Sequence, residues 1–356
     1  MRGTRRVSRV RLLPIAPSGA NLRPRGAKAW LGGRVEDRKD RFVHIYQPGG
    51  STLDFGQAWR GAIDFGGTKT AMALVAPDGR VGHRLRFWTP RQPDPDTMCD
   101  LIAQQWAALL AQSGGPEVAG VGVAAPGPAD AAAGILHQVF DWPWRDVPLA
   151  AVLSRRLGLP VRLDNDVNCC CQAEGRFGVA RGVRDYAWIQ VSTGVGGALC
   201  LGGQVYAGAR GLAGEVGHLI LDEGGPPCAC GRRGCLQALV SGPALARRFH
   251  EAGGRAGERA EAVFAAAGAG DPRARAVLAA AARDLGRGLA IVVNLLNPEM
   301  LVLGGGVMES FAPLLPAVRQ AVRERVIGEA NREVAVVRSG IGYDAALLGA
   351  AVLVER

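Results

Sequence analysis

Two stretches of this chain, GAIDFGGTKTAMALV at residues 61–75 and YAWIQVSTGVGGALCL at residues 186–201, carry the same pattern. In each, a short apolar run meets a turn rich in glycine and threonine, and a second apolar run follows. Short apolar runs bounded by glycine predict two strands joined by a turn. Because the unit occurs twice, we expect a duplicated architecture with a ligand held between the halves.

Strand and helix patterns alternate along the rest of the chain, which is typical of an α/β protein. Helices are predicted near residues 96–112 and over residues 272–296, and a buried strand in VAGVGVAAPGP. A coarse boundary near residue 175 divides the predicted domains. The expected organisation is an extension at 1–58, an N-terminal α/β domain at 59–175, and a C-terminal α/β domain at 176–356 whose last helix packs back on the first domain.

The positive charge lies almost entirely in the N-terminal extension. Of the 42 Lys and Arg and the 32 Asp and Glu, residues 1–60 hold 13 and 4, so the remaining chain is nearly neutral with 29 and 28. The extension has no helical period and is predicted to be disordered. An arm for nucleic acid or a membrane surface and a targeting peptide are alternatives, but a non-functional extension is favoured. We expect a cytoplasmic protein, with neither nucleic acid nor a membrane as partner.

A histidine and three cysteines form the most specific pattern in the chain. EVGHLILDEGGPPCACGRRGC supplies His218, Cys228, Cys230 and Cys235, a ligand set typical of a closed tetrahedral Zn²⁺ site. A closed site has no open coordination position, so we expect structural zinc that shapes a loop. The consecutive Cys169, Cys170 and Cys171 are interpreted as small apolar packing residues.

The glycine turns favour phosphate binding. Gly66, Gly67, Thr68 and Lys69 offer amide, hydroxyl and ammonium donors, and Asp64 could organise Mg²⁺ through water. A strand follows this turn, whereas a P-loop or a dinucleotide fingerprint would require a helix. Thr193 and Gly194 belong to the second turn. Gly304, Gly305 and Gly306 follow an apolar run and suggest close approach to a flat ligand such as adenine.

Carboxylates and amides cluster where a strand passes into a helix. LDNDVN at residues 163–168 supplies Asp164, Asn165, Asp166 and Asn168. Helix capping accounts for one or two of them, while a carboxylate facing two phosphate turns could accept the proton of an attacking hydroxyl. Glu215 lies three residues before His218.

In order, the motifs DFGGTKT, GVAAPGP, LDNDVN, STGVGG, AGEVGH, CACGRRGC and LNPEMLVLGGG resemble the ROK family of sugar kinases and repressors. The resemblance spans about residues 61–356. It implies an actin-like, ribonuclease-H-type ATPase fold with two domains and a cleft between them. It also implies ATP with Mg²⁺, and a homodimer or homotetramer. The residues implied for ATP are Asp64, Gly66, Gly67, Thr68, Lys69, Thr193, Gly194, Gly304, Gly305 and Gly306.

The resemblance assigns Asp166 as catalytic base, and Asn165, Asp166, Glu215 and His218 as sugar-binding positions. The family usually has a glutamate that contacts the sugar where this chain has Gln237, so the resemblance also places Gln237 among the sugar-binding positions. Glutamine can still bridge hydroxyls but lacks the charge, so the difference bears on which sugar is preferred and not on the reaction. The implied function is ATP-dependent phosphorylation of a hexose at its 6-hydroxyl, with a glucokinase favoured. The alternatives are an N-acetylglucosamine, N-acetylmannosamine or fructose kinase, a sugar-responsive repressor, and an inactive sugar-binding module.

Overall fold

The computed structural model describes residues 44–46, 58–139, 142–255 and 259–355. Most of the extension predicted at 1–58 lies outside the described residues. Within it, residues 44–46 form a strand that pairs with a later one. None of the helices in the described ranges is long and apolar enough to cross a membrane.

The first half of the fold is built on a six-stranded sheet, a small three-stranded sheet and three helices. In chain order its elements are β1 (His44–Tyr46), β2 (Trp59–Phe65), β3 (Lys69–Val75), β4 (Val81–Trp88), α1 (Pro95–Gln112), β5 (Val118–Ala125), β6 (Ala129–Asp130), β7 (Ile135–Gln138), β8 (Arg145–Val147), α2 (Leu149–Leu157), β9 (Val161–Asn165) and α3 (Asp166–Phe177).

The second half is built on a five-stranded sheet and seven helices. Its elements are β10 (Tyr186–Val191), β11 (Val195–Leu201), β12 (Gln204–Val205), α4 (Leu236–Val240), α5 (Gly242–Glu251), α6 (Ala260–Gly268), α7 (Pro272–Leu296), β13 (Met300–Gly304), α8 (Gly306–Phe311), α9 (Leu315–Arg323), β14 (Ala335–Arg338) and α10 (Ala345–Leu353).

Apart from the additional edge strand β1, the two large sheets have the same topology, as the repeated sequence unit predicts. The first runs β1-β4-β3-β2-β5-β9 and the second β12-β11-β10-β13-β14. In each, an antiparallel hairpin (β2–β3 or β10–β11) is followed by a parallel neighbour of its first strand (β5 or β13). The turns of the two hairpins therefore occupy equivalent places in the two halves.

Side-chain size decides which layer covers each face of the first sheet. Successive residues of a strand point to opposite faces. On β3, Met72 and Leu74 pack into the core beneath α1, whereas Ala71 and Ala73 pack into a separate core with residues of α10. Small residues on the second face allow this helix to approach the sheet closely.

The last helix, α10, packs against β2, β5 and α3. Two glycines make this approach possible: a Cβ at Gly122 would lie 1.7 Å from the Ala350 carbonyl oxygen, and one at Gly349 would lie 1.8 Å from that of Cys169. The buried Glu174 of α3 accepts hydrogen bonds from the Ser339 hydroxyl and the Gly340 amide, just before α10. The segment just before α10 is thus fixed to the C-terminal half of α3 by Glu174, and α10 itself lies close to Cys169 in the first half of α3.

The three consecutive cysteines of α3 are buried and free, as predicted. Cys169 packs with the residues of α10, whereas Cys170 and Cys171 pack with Trp188 of the second sheet. Helix α3 therefore contacts both halves of the fold, and its first residue lies where they meet.

Candidate active site

The two glycine turns border two neighbouring cavities. The first, of about 480 Å³, is lined by polar and acidic groups and is called here the carboxylate cavity. The second, of about 610 Å³, lies beside α5, α6 and α8 and is called the helix cavity. Gly67 lines the carboxylate cavity, Thr68 lines the helix cavity, and Thr193 lines both. The turns therefore lie at the junction of two spaces of ligand size.

The carboxylate cavity brings together the five residues assigned to the sugar from the sequence. They come from separate elements: the β9–α3 junction, the 3₁₀ turn Val216–His218 with the residue before it, and the start of α4. Glycine backbone of β11 forms another part of the wall. The five residues are Asn165, Asp166, Glu215, His218 and Gln237.

Asn165 and Asp164 hold the start of α3 in place. Asn165 caps the helix by accepting the Val167 amide at 2.9 Å, and it donates to the Gly127 carbonyl oxygen at 3.0 Å. The buried Asp164 accepts hydrogen bonds from Asn168 at 2.8 Å and Gln172 at 3.1 Å. Capping thus accounts for Asn165, and Asp164 supports the helix from within, which leaves Asp166 as the carboxylate of this junction that lines the cavity.

Burial raises the pKa of Asp166 to about 6, and the nearby Glu215 carboxylate adds to the effect. The Val167 amide, which donates to Asp166 at 2.9 Å, opposes this rise. Burial also raises the pKa of Asp64 to about 7, with the Asp166 carboxylate contributing and Arg86 opposing. Two carboxylates held close in a half-buried site favour a bound cation or a shared proton.

A pair of threonines supports the first glycine turn from below. The Thr89 hydroxyl donates to the Gly66 carbonyl oxygen at 2.7 Å, and the Thr89 amide donates to the Thr68 carbonyl oxygen at 3.0 Å. The buried Thr70 hydroxyl lies 2.9 Å from that of Thr89. This support was missed from the sequence, since Thr89 becomes a neighbour of the turn only through the pairing of β3 with β4.

The histidine and three cysteines converge in one cluster. Their ligand atoms all lie within 4.8 Å of one another. Cys230 Sγ is 3.6 Å from Cys235 Sγ, and His218 Nδ1 is 3.8 Å from Cys228 Sγ. Tetrahedral zinc with thiolate and imidazole ligands separates neighbouring donors by about 3.6 to 3.8 Å. The donor set therefore fits a structural zinc ion.

His218 connects this cluster to the carboxylate cavity. Its Nδ1 faces Cys228, while its Nε2 lies 3.9 Å from Glu215 Oε2. A glycine turn draws the loop together: Gly234 has φ +64°, and a Cβ there would lie 1.5 Å from the Asp222 carbonyl oxygen. The cluster thus fixes the loop that carries one wall of the cavity.

Several residues assigned to the phosphates or adenine line neither cavity. The Lys69 ammonium lies 4.5 Å from the centroid of the Trp88 ring, in a cation–π contact. Gly304 is buried in β13, where a Cβ would lie 2.0 Å from the Trp188 ring, so packing explains its lack of a side chain. Of the three glycines at the end of β13 and just after it, Gly306 lines the helix cavity.

Known proteins share this fold and sequence over most of the chain. A glucokinase from Thermotoga maritima is 31% identical over 82% of this chain and 96% of its own length. An N-acetylmannosamine kinase from Escherichia fergusonii is 33% identical over 83% of this chain and 97% of its own length.

Solved structures give the same result. A ROK family glucokinase from Streptomyces griseus, in complex with glucose and AMPPNP, is 31% identical with a TM-score of 0.71, covering 83% of this chain and 99% of that one. A ROK family transcriptional regulator is 27% identical with a TM-score of 0.77, covering 83% and 78%. The fold is thus the actin-like ATPase fold of ROK sugar kinases, which confirms the fold expected from the sequence.

The model of the ROK family matches residues 60–356, which include both glycine turns, the β9–α3 junction and the Cys/His cluster. This match covers most of the chain and agrees with the family resemblance of the motifs. The chain belongs to the ROK family.

Proposed function

We propose that this protein phosphorylates the 6-hydroxyl of a hexose with ATP, and that glucose is the preferred hexose. One observation carries the proposal: the Asp166 carboxylate lines a cavity that both glycine turns border. The kinase names of relatives at 31% and 33% identity support it. A cavity of about 480 Å³ also lies within the range of small-molecule sites, which is about 300–1,000 Å³.

Asp166 acts as the general base in this proposal. With a pKa raised to about 6, its carboxylate is largely ionised at neutral pH and basic enough to accept a proton from a sugar hydroxyl. Asn165, Glu215 and His218 supply acceptors and donors for the other hydroxyls of the ring. The hydroxyl oxygen attacks the γ-phosphorus of ATP in line as its proton passes to Asp166.

ATP is assigned to the space between the two turns. Amides around Gly67 and Gly194 and the hydroxyls of Thr68 and Thr193 face the phosphates, and the adenine lies in the helix cavity near Gly306. Lys69 must leave Trp88 to reach a phosphate. Mg²⁺, held near Asp64, would neutralise phosphate charge; the pKa of Asp64, raised to about 7 in part by Asp166, marks a place where a cation is favoured.

Zinc is proposed for the Cys/His cluster, because the donor atoms match tetrahedral spacing. Its part is structural, since the protein fills the four coordination positions. His218 Nε2 then remains directed towards Glu215 and the cavity. Metal-bound histidines commonly donate through their second nitrogen to a carboxylate, which orients the ring.

The same proposal includes three further points. They are a domain boundary near residue 175, assembly as a homodimer or homotetramer, and a cytoplasmic location. None of the eight cysteines, all of which are described, forms a disulfide bond, as expected in a reducing compartment. Closure of two domains over the cleft would exclude water from the transferred phosphoryl group. Sedimentation of the purified protein tests the oligomeric state.

A sugar-responsive repressor is the second candidate. The TM-score of 0.77 to a ROK family regulator favours it. A repressor, however, needs neither a catalytic base nor phosphate-binding turns, and this chain has Asp166 and both glycine turns around one cavity. Sequence-specific binding to DNA in a gel-shift assay, without sugar-dependent ATP consumption, would favour the repressor.

The deciding experiment is a coupled ADP-release assay with glucose, N-acetylglucosamine, N-acetylmannosamine and fructose. We expect release that depends on the sugar and is fastest with glucose. The Asp166→Asn variant controls for contaminating kinases. The proposal would be refuted if none of the four sugars raised ADP release above the rate measured without sugar.

A further inference from the structure

Gln237 connects the Cys/His cluster to the second glycine turn. It is the second residue of α4 and lies half-buried in the wall of the carboxylate cavity. Its Nε2 donates to Cys228 Sγ at 3.2 Å, and its Oε1 accepts the Val195 amide at 3.4 Å. One carboxamide therefore contacts both a proposed zinc ligand and the residue directly after Gly194.

The chemistry of the two partners fixes the orientation of this carboxamide. The Val195 N–H can only donate and so requires the amide oxygen, whereas the Cys228 sulfur, as a thiolate, accepts and so requires the amide nitrogen. If the amide were rotated by 180°, its NH₂ group would face the Val195 N–H, and two donors would lie against each other. Glutamine satisfies both partners at once, but a glutamate in the same place would set a carboxylate oxygen against a thiolate.

The hydrogen bonds of Gln237 to Cys228 and to Val195 both lie beside the spaces proposed for the sugar and ATP. Cys228 belongs to the loop whose His218 lines the carboxylate cavity, and Val195 begins β11, beside Thr193 and Gly194. A displacement of the cluster would therefore be transmitted to the turn by the side chain of Gln237. The zinc loop and the second glycine turn therefore meet at Gln237.

We propose that Gln237 is a positioning residue, which holds the zinc loop against the second glycine turn by a hydrogen bond to Cys228 at one end and to Val195 at the other. The inference rests on the proposed function for its effect on sugar binding. Its effect on the metal site is independent of that function. It revises the expectation that Gln237 acts only as a direct contact to the sugar, because both ends of its carboxamide already have partners within the protein.

The test compares the zinc-loaded Gln237→Glu and Gln237→Ala variants with the wild type. Gln190→Glu is the matched control, because Gln190 lines the same cavity and the change adds the same charge. Zinc affinity is measured by competition with a chromogenic chelator. The protein loaded with Co²⁺ gives the thiolate-to-metal charge-transfer band, which reports hydrogen bonding to the sulfur.

We expect both Gln237 variants to bind zinc about 10- to 100-fold more weakly, which is the usual effect of losing a partner of a metal ligand. Their charge-transfer bands should shift, while Gln190→Glu should retain the zinc affinity and the charge-transfer band of the wild type. In kinetics, the KM for the sugar should rise several-fold in both variants. Unchanged zinc affinity and an unchanged band in Gln237→Glu and Gln237→Ala would overturn the inference, whether or not the KM moves.

The two proposals fail separately. If the wild type consumed no ATP with any sugar, the proposed function would fail. The zinc and Co²⁺ measurements would still show whether Gln237 acts as a positioning residue. If the variants changed only the KM for the sugar, Gln237 would be a simple substrate contact and the phosphorylation proposal would stand.

Discussion

Replacing Asp166 with asparagine should abolish most activity and at the same time stabilise the protein. Asparagine keeps an oxygen that can accept the Val167 amide but cannot take a proton from the sugar. A general base contributes about 10²- to 10⁴-fold to a rate, so kcat should fall by at least about 100-fold. The loss of an ionised carboxylate from a half-buried site should also remove a cost of folding.

The size of that cost follows from the pKa. A rise from 3.8 to about 6 corresponds to about 3 kcal/mol, at about 1.4 kcal/mol for each pH unit. Because the pKa is higher in the folded state, ionisation opposes folding, and wild-type stability is lost as pH rises from 3.8 through 6. Asp166→Asn should therefore be more stable than the wild type by up to about 3 kcal/mol at pH 8, and the difference should vanish near pH 4.

Urea unfolding at several pH values measures the stability difference, and the coupled assay measures kcat. Asp164→Asn is the matched control, since it makes the same change two residues away at a carboxylate that accepts from Asn168 and Gln172. This control should lower stability by about 1–3 kcal/mol, because a buried acceptor is lost. Retained activity in Asp166→Asn, or no gain in its stability at pH 8, would refute the reasoning.

Three further predictions follow from the contacts around the site. Thr89→Val should lose about 1–2 kcal/mol of stability and raise the KM for ATP, because it removes the hydroxyl that donates to the Gly66 carbonyl oxygen. Thr89→Ser keeps this hydroxyl and should retain the stability and the KM of the wild type. Equal behaviour of the two variants would contradict this role of Thr89. Gly349→Ala should lower Tm, because its Cβ would lie 1.8 Å from the Cys169 carbonyl oxygen, while Gly268→Ala, with open space around it, should be neutral or stabilising. Chelation of zinc should raise the KM for the sugar more than the KM for ATP, and restoring zinc should reverse the change; kinetics that do not respond to metal removal would exclude the cluster from the sugar wall.

The sequence predicted those features that depend on local pattern. Apolar runs on either side of DFGGTKT and STGVGG predicted both hairpins, and the spacing of His218 and the three cysteines predicted their convergence. These predictions succeeded because strand–turn–strand units and ligand loops are encoded within about twenty residues.

Features that depend on long-range pairing were not predictable in this way. Thr89 reaches the first turn through the register of β3 and β4, and Glu174 binds a segment 165 residues further along the chain. Lys69 lies against Trp88 because these two residues are paired across neighbouring strands. In the same way, the bonds of Gln237 to Val195 and Cys228 require the assembled second half.

The most direct test of the central claim follows the phosphoryl group itself. Wild-type protein is incubated with glucose and ATP that carries an isotope label in its γ-phosphoryl group, and the sugar is analysed by mass spectrometry. We predict glucose 6-phosphate that contains the label with wild type, and at least about 100-fold slower formation with Asp166→Asn. Labelled product formed equally fast by the variant, or no labelled sugar phosphate with wild type, would contradict the account.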